Sequence, residues 1–330
     1  MKKILILSIL SLSIIGCAQK TKNKKHMKTR PIVQLYNNPK KLDYSSMPVY
    51  HLMDPSQSGC YYEVYVNGVL VSKLYENTTR IGNFVPLNDV ILKSGKQKVT
   101  IKLFPVENND GTPSLTLGSD VIFKLEIAMY DAKKENDEGV SVKTYSIPTT
   151  TGKSYNTFKY PDAPYYEETF TFEAEVPYTL TGWSESQDLS KMDKGMLEQE
   201  VLDFYAEYDK LIQSQDEEKW VEMARNSELE YYKSVAYNNV EDSEIKDRIK
   251  EYSNFMDSEL IKSYPLDSYE MVFLAEGKVV TLRSLEFPGE SAYTFGRMID
   301  NNGKRVETRS SRYLFLHKPK SSNKLEIIRL

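Results

Sequence analysis

Polar and apolar residues alternate in twos along the first half of this chain and recur in threes and fours along part of the second. Tyr62, Val64 and Val66 alternate with Glu63 and Tyr65, and Asn67-Gly68 then leads into Val69-Leu70-Val71. An Asn-Gly pair between β-rich runs predicts a two-residue hairpin, because both central residues must take positive φ. Lys96 to Leu103 alternates almost without a break after Ser94-Gly95. Val121 to Tyr130, Val140 to Ile147 and Thr169 to Val176 predict further strands, and the loops between them carry Asn, Asp, Gly and Pro.

Several short strands with regular turn signals over residues 48–180 predict an antiparallel β-sandwich. The pattern is similar to the immunoglobulin-like class, without the Cys…Trp…Cys spacing of the immunoglobulin family itself. Residues 181–191 are polar and read as a linker. From Met192 the period changes. Leu197, Val201, Phe204, Tyr208 and Leu211 form one helical stripe. Ser214 to Glu217 reads as a capping box opening a second helix, with Trp220, Ala224, Tyr231 and Val235 facing inward. A third helix is predicted with Ile245, Ile249, Tyr252, Met256 and Leu260 inward and Pro265 as its stop. Strands are predicted over 269–275, 278–285, 292–299, 304–318 and 324–330.

Three helices followed by an antiparallel meander make residues 192–330 an α+β domain. This order loosely resembles the NTF2-like superfamily, in which a curved sheet wraps over helices and encloses a pocket. The resemblance implies a small-molecule pocket in the C-terminal domain, serving ligand capture or catalysis. That family usually places a strand among its helices, and none is predicted here.

The start of the chain follows a different logic. Lys2 and Lys3 precede an apolar run, interrupted only by serines, that ends at Ile14-Ile15-Gly16-Cys17. The run is too short to span a bilayer, which takes about 20 apolar residues, and it fits a cleaved secretory signal. The Ile-Ile-Gly-Cys ending closely resembles the lipobox of bacterial type II signal peptides. That resemblance implies cleavage of residues 1–16 and a diacylglycerol on Cys17, which anchors the protein in the cell envelope. No aspartate follows Cys17, so the outer membrane is favoured in a diderm. Residues 17–47 then form a basic, flexible tether to the membrane. Lys20, Lys22, Lys24, Lys25, Lys28 and Arg30 crowd its first part with no acid among them.

Charge narrows the partners. The whole chain holds 43 basic and 47 acidic residues for a net charge of −4. Residues 1–16 carry two of the lysines and 18–30 carry six basic residues, so residues 31–330 keep 35 basic against 47 acidic, a net −12. Such a body is a poor nucleic-acid binder, since phosphate neutralisation supplies most of that affinity.

Catalytic signatures are scarce: there is no Gly-x-Ser-x-Gly, no His-Glu-x-x-His, no Cys-x-x-Cys and no phosphate-cradling glycine loop. The three histidines, His26, His51 and His317, are dispersed. Cys60 opens an apolar run and reads as a buried structural thiol. Glu167, Glu168, Glu173 and Glu175 are candidate carboxylates, although Glu173 and Glu175 fall on what looks like a solvated strand face. Asn108 to Gly111 and Asp131 to Glu138 are oxygen-rich and read as turns rather than calcium loops. No cofactor or metal is implied.

The aromatic loading is the stronger lead. The chain has 24 tyrosines, and Tyr155, Tyr160, Tyr165, Tyr166 and Tyr178 crowd one proline-rich stretch. Tyrosine joins an apolar face to a hydroxyl, which suits protein interfaces and sugar stacking. The expected role is therefore non-enzymatic: an envelope lipoprotein that binds a protein or a glycan. An immunity or inhibitor protein that captures a basic partner is one specific form.

Overall fold

The computed structural model describes residues 30–37, 44–76, 84–108, 110–134, 137–152, 156–235, 243–264, 266–301 and 304–329. The expected signal, Cys17, His26 and the lysines of the tether lie outside the described residues. The fold is mixed, mostly antiparallel sheet with helices concentrated in the second half.

Among the described residues the first half holds ten strands: β1 (Pro48–Ser58), β2 (Cys60–Val66), β3 (Val69–Leu74), β4 (Phe84–Pro86), β5 (Gly95–Pro105), β6 (Ile122–Asp131), β7 (Val140–Ser146), β8 (Thr149–Thr151), β9 (Asn156–Phe158) and β10 (Tyr166–Ala174). Eight of them make two four-stranded sheets, ordered β4-β1-β6-β7 and β10-β5-β2-β3, and β8 pairs with β9. The alternation of β5 sends Gln97, Val99, Ile101 and Leu103 inward and leaves Lys96 and Lys98 exposed. Val64, Val66 and Ile101 of one sheet share a core with Leu52, Phe123 and Ile127 of the other. Each such side chain contributes about 1.5–3 kcal/mol on burial. Asn67 and Gly68 make the tight turn with φ of 51° and 80°, pairing Val66 with Val69.

Cys60 belongs to this core and is 1 % exposed. Burial first, then Asp120, pushes its thiol up to about 12. We expect Cys60 in a Cys17→Ala chain to resist a disulfide thiol reagent at neutral pH and to react only in denaturant. Release of one equivalent in native buffer would contradict this.

The second half is built on α2 (Lys194–Ser214), α3 (Glu217–Val235) and α4 (Ser243–Asp257). The buried stripe of α2 runs Leu197, Val201, Tyr205, Tyr208 and Ile212, with Leu211 beside it. Tyr205 replaces the expected Phe204 because steps of four and three both fit a 3.6-residue turn. Its hydroxyl also meets Leu314 O and the Leu282 N–H at 3.4 and 3.3 Å. The capping box is shifted. Ser214 ends α2, Gln215 takes the left-handed conformation (φ 52°), and Asp216 accepts the Lys219 N–H at 3.1 Å to open α3. On α3, Trp220 and Ala224 face inward as expected, whereas Tyr232 is the buried tyrosine in place of Tyr231. On α4, Ile245, Ile249, Tyr252 and Met256 are buried. The helix stops at Asp257, well before Pro265, because the chain leaves it to pair as a strand.

That strand is β11 (Glu259–Ser263), followed by β12 (Tyr269–Leu274), β13 (Val279–Ser284), β14 (Thr294–Asn301), β15 (Lys304–Ser311), β16 (Phe315–His317) and β17 (Glu326–Arg329). Helices precede strands as expected, but the strands divide between two sheets, β11-β14-β15 and β12-β13-β16-β17. The single element expected over 304–318 breaks at Arg312–Leu314. There the Arg312 N–H makes one last bond in register, to Tyr293 O, and the chain then crosses to pair with β13 and β17 in the other sheet.

Two stretches expected to be loose are packed. Within the predicted tether, Pro31–Asn37 forms a helix, α1, whose Ile32, Val33, Leu35 and Tyr36 enter the core of the second half. Arg30, 4 % exposed, bonds Glu217 and Asp257 at the ends of α3 and α4. Within the predicted linker, Trp183, Ser186 and Leu189 are buried, and the Gln187 N–H bonds Lys318 O.

The halves meet along a polar seam. Glu63, on β2, pairs with Arg283, on β13, at 3.0 Å. Arg329, on β17, donates to Asp89 O at 2.6 and 2.8 Å and to Glu230 at 3.1 Å, and it lies over the Trp183 ring.

Candidate functional site

The tyrosine-rich stretch builds a platform at one end of the first half. Its base is buried. Tyr145, from β7, stacks on Phe170, from β10, with centroids 4.9 Å apart and planes 7° from parallel. Phe158 of β9 is 2 % exposed and meets Tyr160 and Tyr166 edge-on at 6.0 and 5.4 Å. Tyr160 then stacks on Tyr166 at 5.8 Å. Tyr160 and Tyr165 crown the assembly, 44 % and 53 % exposed.

The loop that presents them is pinned rather than free. The Asp162 N–H bonds Leu117 O, the Leu117 N–H bonds Ala163 O and the Phe158 N–H bonds Ser119 O, each at 2.9 Å. Asp162 takes a φ of 67°, a conformation that Asp tolerates better than most residues. Tyr160, Pro164, Tyr165, Tyr166, Glu167 and Glu168 line a hollow of about 780 Å³ beside it.

Glu168 sits in the hollow as a shared acceptor. Tyr145 donates to it at 2.6 Å, and Tyr166 donates to the same oxygen. Burial first, then the bond to Glu168, raises the Tyr166 hydroxyl to about 12. Tyr145 is raised further for the same two causes. Phenols held protonated in this way donate hydrogen bonds and stack; they do not accept protons near neutral pH. Lys143 and Lys159 add cations over Phe170 and Tyr160 at 5.6 and 5.4 Å.

The sequence-predicted residues divide accordingly. Tyr160, Tyr165 and Tyr166 come together. Tyr178 does not: it is 6 % exposed, packs with Met47 and Leu180, and donates to Asn88 O at 2.8 Å, so it is a clasp between segments rather than surface. Tyr155 lies outside the described residues. Tyr145, Phe158 and Phe170 complete the base. Only the register of β7, β9 and β10 brings them there, and no local pattern in the chain announces it.

The remaining candidates do not converge. Glu167 pairs with Lys102 at 3.7 Å, while Glu173 and Glu175 stay exposed farther along the β10 stretch. His51 stacks on Tyr130 at 5.2 Å and has its pKa lowered by burial. His317 lies in the second half, where its Nδ1 faces the Ser186 hydroxyl at 2.7 Å and burial likewise lowers its pKa. Asp131 accepts the N–H groups of Met47 and Lys133, and Asp137 accepts those of Asp131 and Gly139. Asp110 accepts the N–H of Thr112. These carboxylates cap turns, each taking at least one backbone N–H. Among the described residues no group of three or more His, Cys, Asp or Glu is placed to hold a metal ion.

No protein-family model matches the chain, and no curated protein and no solved structure matches it either.

Proposed function

We propose that this chain is a non-enzymatic binding protein of the bacterial envelope, anchored through a lipid on Cys17, with the outer membrane as its favoured site. In this reading the first half is a β-sandwich of the immunoglobulin-like class that displays the tyrosine platform to a protein partner. The observation that carries it is the pairing of exposed Tyr160 and Tyr165 with a rigid, buried aromatic base. Aromatic anchors that are already ordered lose little entropy on binding, so they suit a recognition hot spot. The acidic body favours a basic partner, as an immunity or inhibitor protein would require.

A glycan is the second reading, favoured by the hollow between Tyr160 and Glu168, which offers a stacking face beside a hydrogen-bond acceptor.

The test compares the full chain with a Tyr160→Ala/Tyr165→Ala variant by cross-linking in its own envelope. Both side chains are exposed, so the variant should fold normally while recovery of the partner falls about tenfold or more. Equal recovery would remove the platform from the binding face. A Cys17→Ala chain, run in parallel, should leave the membrane fraction; unchanged partition would remove the anchor.

A further inference from the structure

Strand β3 is the edge of its sheet, and it does not face open water. It forms one bank of a groove of about 770 Å³ between the two halves, whose far bank carries Arg248 of α4, Phe287, and the Ser311–Tyr313 turn. Leu70, Val71, Ser72 and Lys73 are half-buried there. Among the described residues, no backbone group outside β2 bonds to the backbone of β3. The edge therefore presents alternate N–H and C=O groups into a concave, partly apolar space.

Proteins usually blunt such an edge with a bulge or a free lysine. Both devices are weakened here. The bulge that falls at Val71 leaves pairing intact on either side, Leu70 with Tyr65 and Ser72 with Val64. Lys73 is drawn across to Gly289 O and to Glu290 at 2.8 Å, so its charge is already neutralised.

The charges of the far bank are unequal in their satisfaction. Glu290 takes Lys73 and the Ser311 hydroxyl, and Arg248 takes Glu228 and faces Glu251. Arg312 stands apart. Its guanidinium lies 4.2 Å from the centre of the Phe255 ring, and among the described residues it has neither a hydrogen-bond acceptor nor an ion-pair partner. Arg312 is half-buried and lines the groove, and an unpaired guanidinium on such a residue matches a carboxylate, which accepts two parallel hydrogen bonds from it. Tyr75, Phe287 and Tyr313 supply apolar surface for side chains on either side.

We propose that this groove binds an extended peptide, which adds to β3 as a fifth strand and sets an aspartate or glutamate side chain on Arg312. Backbone pairing gives the affinity, and the carboxylate with the aromatic walls gives the selectivity. This surface is separate from the tyrosine platform and does not depend on it.

The probe is a phage-displayed library of random peptides, each joined to the coat protein at its C-terminus so that no terminal carboxylate is free. It is panned on the full Cys17→Ala chain. The enriched peptides should share an acidic position flanked by apolar residues, and the best of them is then made synthetically with a fluorescent label. Changing its Asp or Glu to the amide, or changing Arg312→Gln in the protein, should each weaken binding about tenfold. Applied together, the two changes should weaken it little further, because they remove the same bond. N-methylation of alternate backbone positions in the peptide should abolish binding, and Tyr160→Ala/Tyr165→Ala should leave it unchanged. The proposal is overturned if no peptide is enriched, if N-methylation is harmless, or if Arg312→Gln lowers stability without changing affinity. The last result would mean that Arg312 only packs on Phe255.

Discussion

Glu63→Ala should destabilise this protein by about 3–5 kcal/mol, the cost of breaking a buried ion pair from one side. Glu63 is 1 % exposed, accepts from the Tyr75 hydroxyl at 2.7 Å and from the Tyr65 hydroxyl, and forms an ion pair with Arg283 at 3.0 Å. Burial works most strongly on the Arg283 charge and against it, yet Glu63, Tyr65 and Tyr313 together outweigh it and hold the guanidinium above its ordinary value. Without the carboxylate, the buried Arg283 cation would keep only the Tyr65 hydroxyl as an acceptor, and the Tyr65 and Tyr75 hydroxyls would lose theirs. All of this lies on the seam, so the loss should fall on the junction of the halves. Urea unfolding followed by circular dichroism and by tryptophan fluorescence would measure it. The wild type should lose both signals together, whereas the variant should unfold at lower urea with the two signals separated. A shift worth less than about 1 kcal/mol would show that solvent reaches the pair, since exposed pairs contribute no more than that. A Glu63→Leu/Arg283→Met double variant should recover most of the loss, because matched apolar groups leave no charge buried alone.

The second large effect is expected at Glu228→Ala, again about 3–5 kcal/mol. Glu228 on α3 is fully buried and accepts from Arg248 at 2.6 and 3.2 Å and from the Tyr36 hydroxyl. One carboxylate therefore joins α1, α3 and α4. Its removal strands Arg248 and releases the C-terminal end of α1, leaving that helix held by the Arg30 clamp and by its apolar contacts. Tyr36→Phe, which removes one hydroxyl bonded to the carboxylate and keeps the ring, should cost about 1.5–3 kcal/mol. Hydrogen exchange would distinguish a local from a global effect. Glu228→Ala should raise exchange across residues 31–37 more than across β5, whose core lies in the other half. Uniform acceleration would mean that α1 is not the element Glu228 secures.

The membrane reading gains a geometric consequence from the same helix. If Cys17 carries the lipid, only about a dozen residues separate it from the Arg30 clamp, a reach of about 40 Å when fully extended. The leash attaches to the second half, beside the ends of α3 and α4. The tyrosine platform belongs to the other half, away from that attachment point in the chain.

Local pattern carried much of the fold. The Asn67-Gly68 turn, the alternation of β5 and the stripe of α2 each follow from the backbone geometry of a few neighbouring residues, so they can be read without knowing what lies opposite. The buried state of Cys60 follows in the same way from its apolar surroundings. The same local signals misplaced elements where a distant partner decides. Residues 31–37 sit in polar company and read as tether, yet Glu217, Asp257 and Glu228 dock them. Leu260 fits a helical stripe, yet β14 takes it as a strand. Tyr178 shares its neighbourhood with the platform tyrosines, yet its hydroxyl is spent on Asn88 O.

The sequence by itself determined the strand-rich half and the helices that follow it, because period and turn chemistry are properties of short segments. Only the tertiary structure decided which tyrosines form a surface, which carboxylates join the two halves, and that β3 lines a groove with Arg312 opposite. Those arrangements depend on strand register and on contacts between residues far apart in the chain, and hydrophobic period carries no information about either.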